Sequence, residues 1–334
     1  WLRDAGIEVH LYQLGPRQDA LTASLAARAT QFRLLDGSLE AIAQQLRDDD
    51  LDLLLYPELG IDARLVPLAA LRLARRQAVA WGHPVTSGFS SIDDFVSCAA
   101  MEPADAAAHY RERLVGLPGL GVEYAKPPAP PLSDAAALGL DPARPRILVP
   151  QSLFKLHPDG DAVLASIAAA VPQVQFVCFA PERARWWPRF QQRLERAFEE
   201  QGCVADRHLV LQPLGTRERF LQVNRACDLM LDSLHWSGGN TALDALCSGL
   251  PLVTCPGRFM RGRQSHAMLQ RLGLAEVLSC ATPQAQAGRV VELLQSEQER
   301  RALSGAIGAR LPDLFEFATA RAAFVDWVRQ AVEA

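Results

Sequence analysis

The sequence predicts an α/β protein built from two parallel-sheet domains, and three observations carry that expectation. Short apolar runs of strand length alternate with stretches of helical periodicity, the order of repeated βαβ units. The chain has 334 residues, more than one core usually holds. A proline-dense stretch, Lys126-Pro127-Pro128-Ala129-Pro130-Pro131, divides it, and such density favours extended polyproline backbone over helix. The expected organisation is a first domain at 1–125, truncated at its start, a linker at 126–145, a second domain at 146–315 and a closing helix at 316–334.

In the first half, a helix tail at Trp1 to Ala5 precedes a strand at Ile7 to Leu14, where apolar residues alternate. An α/β domain ordinarily begins with a strand, so further sequence is expected upstream. Ser38 caps a helix to Leu46 with Leu39, Ile42 and Leu46 on its apolar face. Leu51-Asp52-Leu53-Leu54-Leu55-Tyr56 is the apolar run of a central parallel strand. A helix around Pro67 to Ala74 leads to a strand at Gln77 to Trp81, the loop Gly82 to Gly88, and a strand at Phe95 to Ser97. Asp50-Leu51-Asp52 has metal-ligand spacing, but it follows Asp48 and Asp49 and reads as a solvated turn.

The second half restarts the pattern. Strands are expected at Arg146 to Pro150, Val174 to Phe179, His208 to Gln212, Leu229 to Leu231 and Pro251 to Thr254. Helices are expected at Asp161 to Ala170, Glu182 to Gln201, Thr216 to Ala226, from Asn240, and at Arg263 to Leu272, followed by two more and a last one at Leu314 to Val332.

Composition narrows the function classes. Apolar residues make up 49%, charged residues 22%, and the net charge is −4; this is a globular balance with no electrostatic pull toward nucleic acid or an anionic membrane. No apolar run reaches the length of a membrane span, and no signal peptide is visible. The seven cysteines are scattered without Cys-x-x-Cys spacing, which argues against a disulfide frame or a zinc site and fits a reducing cytoplasm.

The chemistry concentrates in Leu229 to Pro251. Ser237, Gly238 and Gly239 form a turn that lets backbone approach a ligand. Asn240 and Thr241 then open a helix whose first amides lack intrahelical partners, an arrangement suited to phosphate. Asp244 lies one turn on, placed to accept from a ribose diol. An ordinary helix start with no ligand is the rival reading. In parallel sheets ligands lie beyond the carboxyl ends of strands, and four loops hold that position: His83 to Gly88, Gln151 to Lys155, Pro213 to Phe220 and His235 to Asp244. Their convergence on one cleft is expected.

Three segments resemble a known family: Trp81 to Gly88 with Asp93-Asp94-Phe95, Leu153-Phe154-Lys155-Leu156-His157-Pro158, and Gly239 to Thr254. The family is that of the O-linked N-acetylglucosamine transferases, with the Spindly-type fucosyltransferases and the bacterial N-glycosylating relatives. The resemblance runs from about Ile7 to Leu272 and implies a GT-B fold, two Rossmann-like domains facing a central cleft. It implies an inverting, metal-independent transfer of a GlcNAc-, glucose- or fucose-type sugar from a nucleoside-diphosphate donor, UDP-linked by expectation, to a protein side chain, without a cofactor.

By the same resemblance Lys155 contacts the phosphates, Ser152 shares its loop, and Gly238, Gly239, Asn240 and Thr241 form the diphosphate-binding helix start. Asp244 takes the ribose position, and Arg217 touches the nucleotide. Phe220 either stacks on the base or packs in the core. His83, with Pro84 and Thr86, is assigned to the sugar and acceptor side, and His83 is the weaker catalytic candidate beside Lys155; a structural loop histidine is its rival reading. Gly239-Asn240-Thr241 departs from the animal O-linked pattern of a histidine before two threonines and resembles the N-glycosylating branch. The family's tetratricopeptide repeats do not occur in this sequence; a repeat domain upstream is expected to select acceptors. Two other functions fit the architecture, a nucleotide-sugar epimerase and a non-catalytic nucleotide-binding module.

Overall fold

The computed structural model describes every residue except Arg17, Val122, 128–132, 181–184, Leu214 and Ala334. Residues 128–132 of the expected linker, most of its proline run, therefore lie outside the described residues, as does the start of the helix expected from Glu182. The chain divides into two compact units, one comprising Trp1–Ala99, Asp105–Val122 and Phe317–Ala334, the other Ala100–Ala104 and Glu123–Glu316. The C-terminal segment thus belongs to the first unit.

In chain order the first unit has β1 (His10–Leu14), α1 (Ala20–Arg28), β2 (Gln31–Leu35), α2 (Leu39–Asp48), β3 (Leu53–Tyr56), α3 (Leu65–Ala69), β4 (Arg76–Ala80), β5 (Asp94–Cys98) and β6 (Arg113–Leu117). The second unit follows with β7 (Arg146–Leu148), α4 (Asp161–Ala170), β8 (Gln175–Phe179), α5 (Trp186–Glu199), β9 (Leu209–Gln212), α6 (Arg217–Ala226), β10 (Leu229–Leu231), α7 (Asn240–Cys247), β11 (Leu252–Val253), α8 (Gln264–Arg271), α9 (Ala275–Leu278), α10 (Pro283–Gln295) and α11 (Glu297–Arg310). Helix α12 (Ala318–Glu333) returns to the first unit.

All strand pairs named here are parallel. The first unit holds a four-stranded sheet, β3-β4-β5-β6, and a separate pair, β1-β2. Strand β5 is buried along its whole length, as a strand covered on both faces must be. Its Asp94 is fully buried, and Arg76 and Arg113, from the strands on either side, reach it at 2.9 and 2.7 Å. Burial alone would raise the Asp94 pKa; the two guanidinium groups outweigh it and hold the carboxyl below the usual range. Helix α1 and strands β2 and β6 were not expected from the sequence. Each strand has only one buried residue among its five, so neither shows the apolar run by which a strand buried on both faces is recognised. The helix expected to reach Ala74 stops at Ala69. Beyond it, the buried Gln77 side chain accepts from the Leu73 N–H at 2.7 Å and donates to Leu71 O at 2.9 Å.

The acidic turn is solvated as expected, with Asp48, Asp50 and Asp52 exposed. Its neighbour Asp49 instead turns its carboxylate inward, paired with Arg33 at 2.5 Å and accepting from the Tyr12 hydroxyl at 2.7 Å. It ties the β1-β2 pair to the end of α2.

The second unit carries a five-stranded sheet in the order β11-β10-β7-β8-β9. Its centre is apolar: Ile147, Leu148, Phe176, Val177, Leu229, Met230, Leu252 and Val253 are all fully buried. Thr216 caps α6 by accepting from the Arg219 N–H at 3.2 Å. No described helix is long and apolar enough to cross a membrane.

Candidate functional site

The sheet of the second unit reverses its winding between β7 and β10. The chain runs outward from β7 through β8 to β9, then returns to the other side of β7 as β10 and β11. Loops leaving the carboxyl ends of strands at such a reversal diverge, and a crevice opens between them. Here they are the β7 exit, 149–160, and the β10 exit, 232–239.

Two contacts draw these loops together. Gln151 Nε2 donates to Thr241 Oγ1 at 2.9 Å, fastening the β7 exit to the start of α7. Lys155 closes a 3-10 turn in which its own N–H donates to Ser152 O at 2.8 Å; the Ser152 side chain is exposed. The Lys155 ammonium stands 5.5 Å from the centre of the Trp236 ring, on the β10 exit. Burial pushes the Lys155 pKa below the usual lysine range, because desolvation penalises the charged form. Among the described residues no carboxylate pairs with this ammonium.

The turn before α7 is held from below. Asp232, 2% exposed, accepts from the Gly238 N–H at 2.8 Å and the Thr254 hydroxyl at 2.7 Å. Burial pushes its pKa up to about 6 against those hydrogen bonds. Close approach explains the glycines. A Cβ on Gly238 would stand 3.0 Å from both Gln151 Nε2 and Thr241 Oγ1, and one on Gly239 would stand 2.7 Å from Gln264 Oε1. Gly239 is the N-cap and offers no side chain, and among the described residues nothing accepts the backbone N–H of Asn240 or Thr241. Asn240 is exposed and Thr241 half-buried. Two free amides, the positive end of a helix and a half-buried ammonium form a site for an anion.

Asp244 is not an open carboxylate. It is 2% exposed, and Arg217 donates to its Oδ1 at 2.7 Å and to its Oδ2 at 3.3 Å. The Tyr124 hydroxyl also donates to Oδ1, and Arg217 in turn reaches the Tyr124 oxygen at 2.6 Å. Arg217, expected to touch a nucleotide, is thus engaged with Asp244, which it approaches from the first turn of α6. Phe220 is half-buried and packs against the half-buried Phe179, with ring centres 5.1 Å apart.

The remaining expected residues lie in the first unit. Pro84 is buried, not displayed to a ligand. The Thr86 hydroxyl donates to Glu112 at 2.6 Å and accepts from the Gly88 and Arg111 N–H groups at 3.2 and 3.3 Å; it frames its own loop. Gly82 is needed because a Cβ there would meet the Pro57 carbonyl oxygen at 2.4 Å. The His83 ring lies against Gly60, where an added Cβ would stand 2.7 Å from His83 Cδ2.

With that geometry the chain can be set beside known proteins. It superposes on the Thermobaculum terrenum O-GlcNAc transferase with a TM-score of 0.82 and 27% identity, covering 97% of this chain and 61% of that one. The chain is similar to protein glycosyltransferases of the O-GlcNAc transferase kind. Curated relatives of that kind include the UDP-glucose:protein N-β-glucosyltransferase of Actinobacillus pleuropneumoniae, 23% identical over 299 residues, 87% of this chain and 47% of the relative. The probable UDP-N-acetylglucosamine–peptide N-acetylglucosaminyltransferase SPINDLY of Arabidopsis thaliana is 24% identical over 242 residues, 71% of this chain and 26% of the relative. The chain therefore spans about half the length of the first of these relatives and a quarter of the second. Trehalose-6-phosphate synthase OtsA shares the fold alone, with a TM-score of 0.57 and 14% identity. The fold is GT-B, with two parallel Rossmann-like units. No protein-family model matches the chain.

Several residues that build this transferase-like site were not singled out from the sequence. Gln151 and Asp232 each follow a strand of the second sheet, and that position was the available signal. Tyr124 had none, because its partner Asp244 is 120 residues away. Gln264 and Trp236 likewise become visible only once α8 and the turn are folded together.

Proposed function

We propose that the chain is the donor-binding and catalytic portion of an inverting glycosyltransferase, moving a sugar from a UDP-type donor to a protein side chain. The observation that carries this reading is Lys155, a half-buried ammonium over Trp236, without a carboxylate partner among the described residues, on a loop fastened to the start of α7. A buried cation of this kind is stabilised by an anion. A leaving diphosphate gains charge as the glycosidic bond breaks, so fixed positive groups aid the transition state more than the ground state. Lys155 with the Asn240 and Thr241 amides supplies that charge without a divalent ion on the phosphates. The similarity to relatives that use UDP-glucose and UDP-N-acetylglucosamine supports the same donor class.

Asp244 retains acceptor capacity for a ribose, though its carboxylate is covered in this structure. A carboxylate accepts about four hydrogen bonds, and Tyr124 and Arg217 account for three contacts. In this reading a ribose hydroxyl donates to Oδ2 by displacing the longer Arg217 contact, 3.3 Å. The two catalytic candidates from the sequence, Lys155 and His83, lie in different units, and the proposal rests on the Lys155 side. Free thiols throughout fit a reducing cytoplasm.

The test is thermal melting with UDP, GDP, UDP-glucose and UDP-N-acetylglucosamine, each in magnesium and in EDTA. A ligand at a hundred times its Kd stabilises by about 2.7 kcal/mol, and UDP should do so equally in both buffers. Absence of any UDP effect, or one confined to magnesium, contradicts the proposal. An epimerase would convert the donor with no acceptor present, which a product assay on the same samples reads directly.

A further inference from the structure

Three metal-binding side chains that the donor site does not use converge beside it. His157 and Asp159 follow Lys155 on the β7 exit, and His235 stands in the turn after β10. His235 Nε2 lies 2.8 Å from Asp159 Oδ2, and His157 Nδ1 lies 3.3 Å from Asp159 Oδ1. The two imidazoles meet edge to face with centres 4.7 Å apart. All three donor atoms fall within 4.8 Å of one another, the one such trio among the described residues. His235 is held there by backbone in the left-handed region, φ 67°, where histidine is commoner than most residues.

His157 Nδ1 faces both the Asp159 backbone N–H and the Asp159 carboxylate, each at 3.3 Å. A neutral imidazole beside a carboxylate offers lone pairs that a divalent cation accepts. Ligand atoms around a tetrahedral ion with bonds of about 2.0–2.1 Å stand roughly 3.3 Å apart; the two contacts to Asp159, 2.8 and 3.3 Å, are close to that spacing, and the side chains are exposed and free to bring the whole trio, now within 4.8 Å, to it. Two imidazoles and one carboxylate select a borderline ion of the zinc kind over magnesium or calcium, which take oxygen ligands.

We propose that His157, Asp159 and His235 bind one divalent transition-metal ion of the zinc class. The ion would clasp the β7 exit, which carries Lys155, to the turn that opens α7. It braces the two loops, and no step of sugar transfer passes through it. The site does not depend on the transferase reading, and its test does not measure transfer.

The full chain, free of any affinity tag and stripped with chelator, is titrated calorimetrically with zinc, with magnesium as the control and iron(II) as a competitor. One equivalent of zinc should bind and raise the melting temperature, magnesium should do neither, and cobalt(II) should give the visible d–d bands of a four-coordinate nitrogen–oxygen site. His235→Asn and Asp159→Asn should each weaken zinc binding by at least about tenfold; both side chains are more than half exposed and asparagine tolerates the left-handed backbone at 235, so the apo variants should melt with the wild type. Zinc binding unchanged in both variants overturns the proposal, as does a cobalt spectrum with thiolate charge-transfer bands, which would place the ion on cysteines. A cluster that binds no zinc but loses stability above the histidine pKa is a protonated His–Asp pair, and that result also overturns it.

Discussion

Lys155→Met removes the charge while leaving an unbranched apolar side chain over Trp236. At a contact distance of about 4 Å and an effective dielectric of about 20, an ammonium attracts one unit of phosphate charge by about 4 kcal/mol. Lys155 is only half-buried, so water screens part of this. The loss of one preorganised donor at a developing anion elsewhere costs roughly 10²–10³ in kcat, and the same range is expected here, measured as UDP release from the donor at saturation. The ground-state diphosphate is already charged, so UDP affinity should fall too, but by a smaller factor, on the order of tenfold. The pH dependence gives an independent reading. The cationic form binds the anion, and burial depresses the free-protein pKa. Wild-type affinity for UDP should therefore decline with rising pH from below the usual lysine range, and Lys155→Met should lose that slope. A variant with the wild-type melting temperature, wild-type kcat and unchanged UDP affinity would refute the electrostatic argument.

The other predictions concern the frame around that site. Gly82→Ala drives a methyl into the Pro57 carbonyl at 2.4 Å and should destabilise by about 1–3 kcal/mol in denaturant unfolding; Gly288→Ala, on the exposed face of α10 with nothing within 4 Å, should stabilise by about 0.5–1 kcal/mol. Asp232 is fully buried with a folded-state pKa of about 6 against 3.8, so its contribution is complete below the unfolded value and is lost as pH rises through the folded one. Between pH 4 and 7, wild type should therefore lose about 2 kcal/mol relative to Asp232→Asn, and parallel pH–stability curves for the two proteins would show the carboxyl is not buried as described. Tyr124→Phe removes one of the donors to Asp244 and should tighten UDP binding, read by calorimetry, because Oδ1 is then free to accept from the second hydroxyl of the ribose diol.

What the sequence determined by itself is local or periodic. Helix α4 begins and ends where its residues predict, at Asp161 and Ala170, and Thr216 and Ser38 cap the helices they precede, since a cap is decided within three residues. The buried strands β3, β5 and β8 were legible because both of their faces must be apolar. Strands β2 and β6 were not, since a strand with one buried residue in five carries no such mark. The Ser237–Asp244 turn and the Lys155 loop were each visible as segments, and their family resemblance told what kind of site to expect.

The folded chain alone decided how those segments meet. Gln151 and Thr241 are 90 residues apart, Tyr124 and Asp244 120, and pairings at that range have no periodicity to announce them. The winding reversal between β7 and β10 brings the first pair together and sets Lys155 beside Trp236. Within the same unit the fold fills Asp244 with partners, and in the first unit it turns Thr86 toward Glu112. Strand and helix follow from the order of residues along the backbone; a site follows from which distant side chains a sheet topology places close together, since hydrogen bonds act only within about 3 Å and charges weaken with distance.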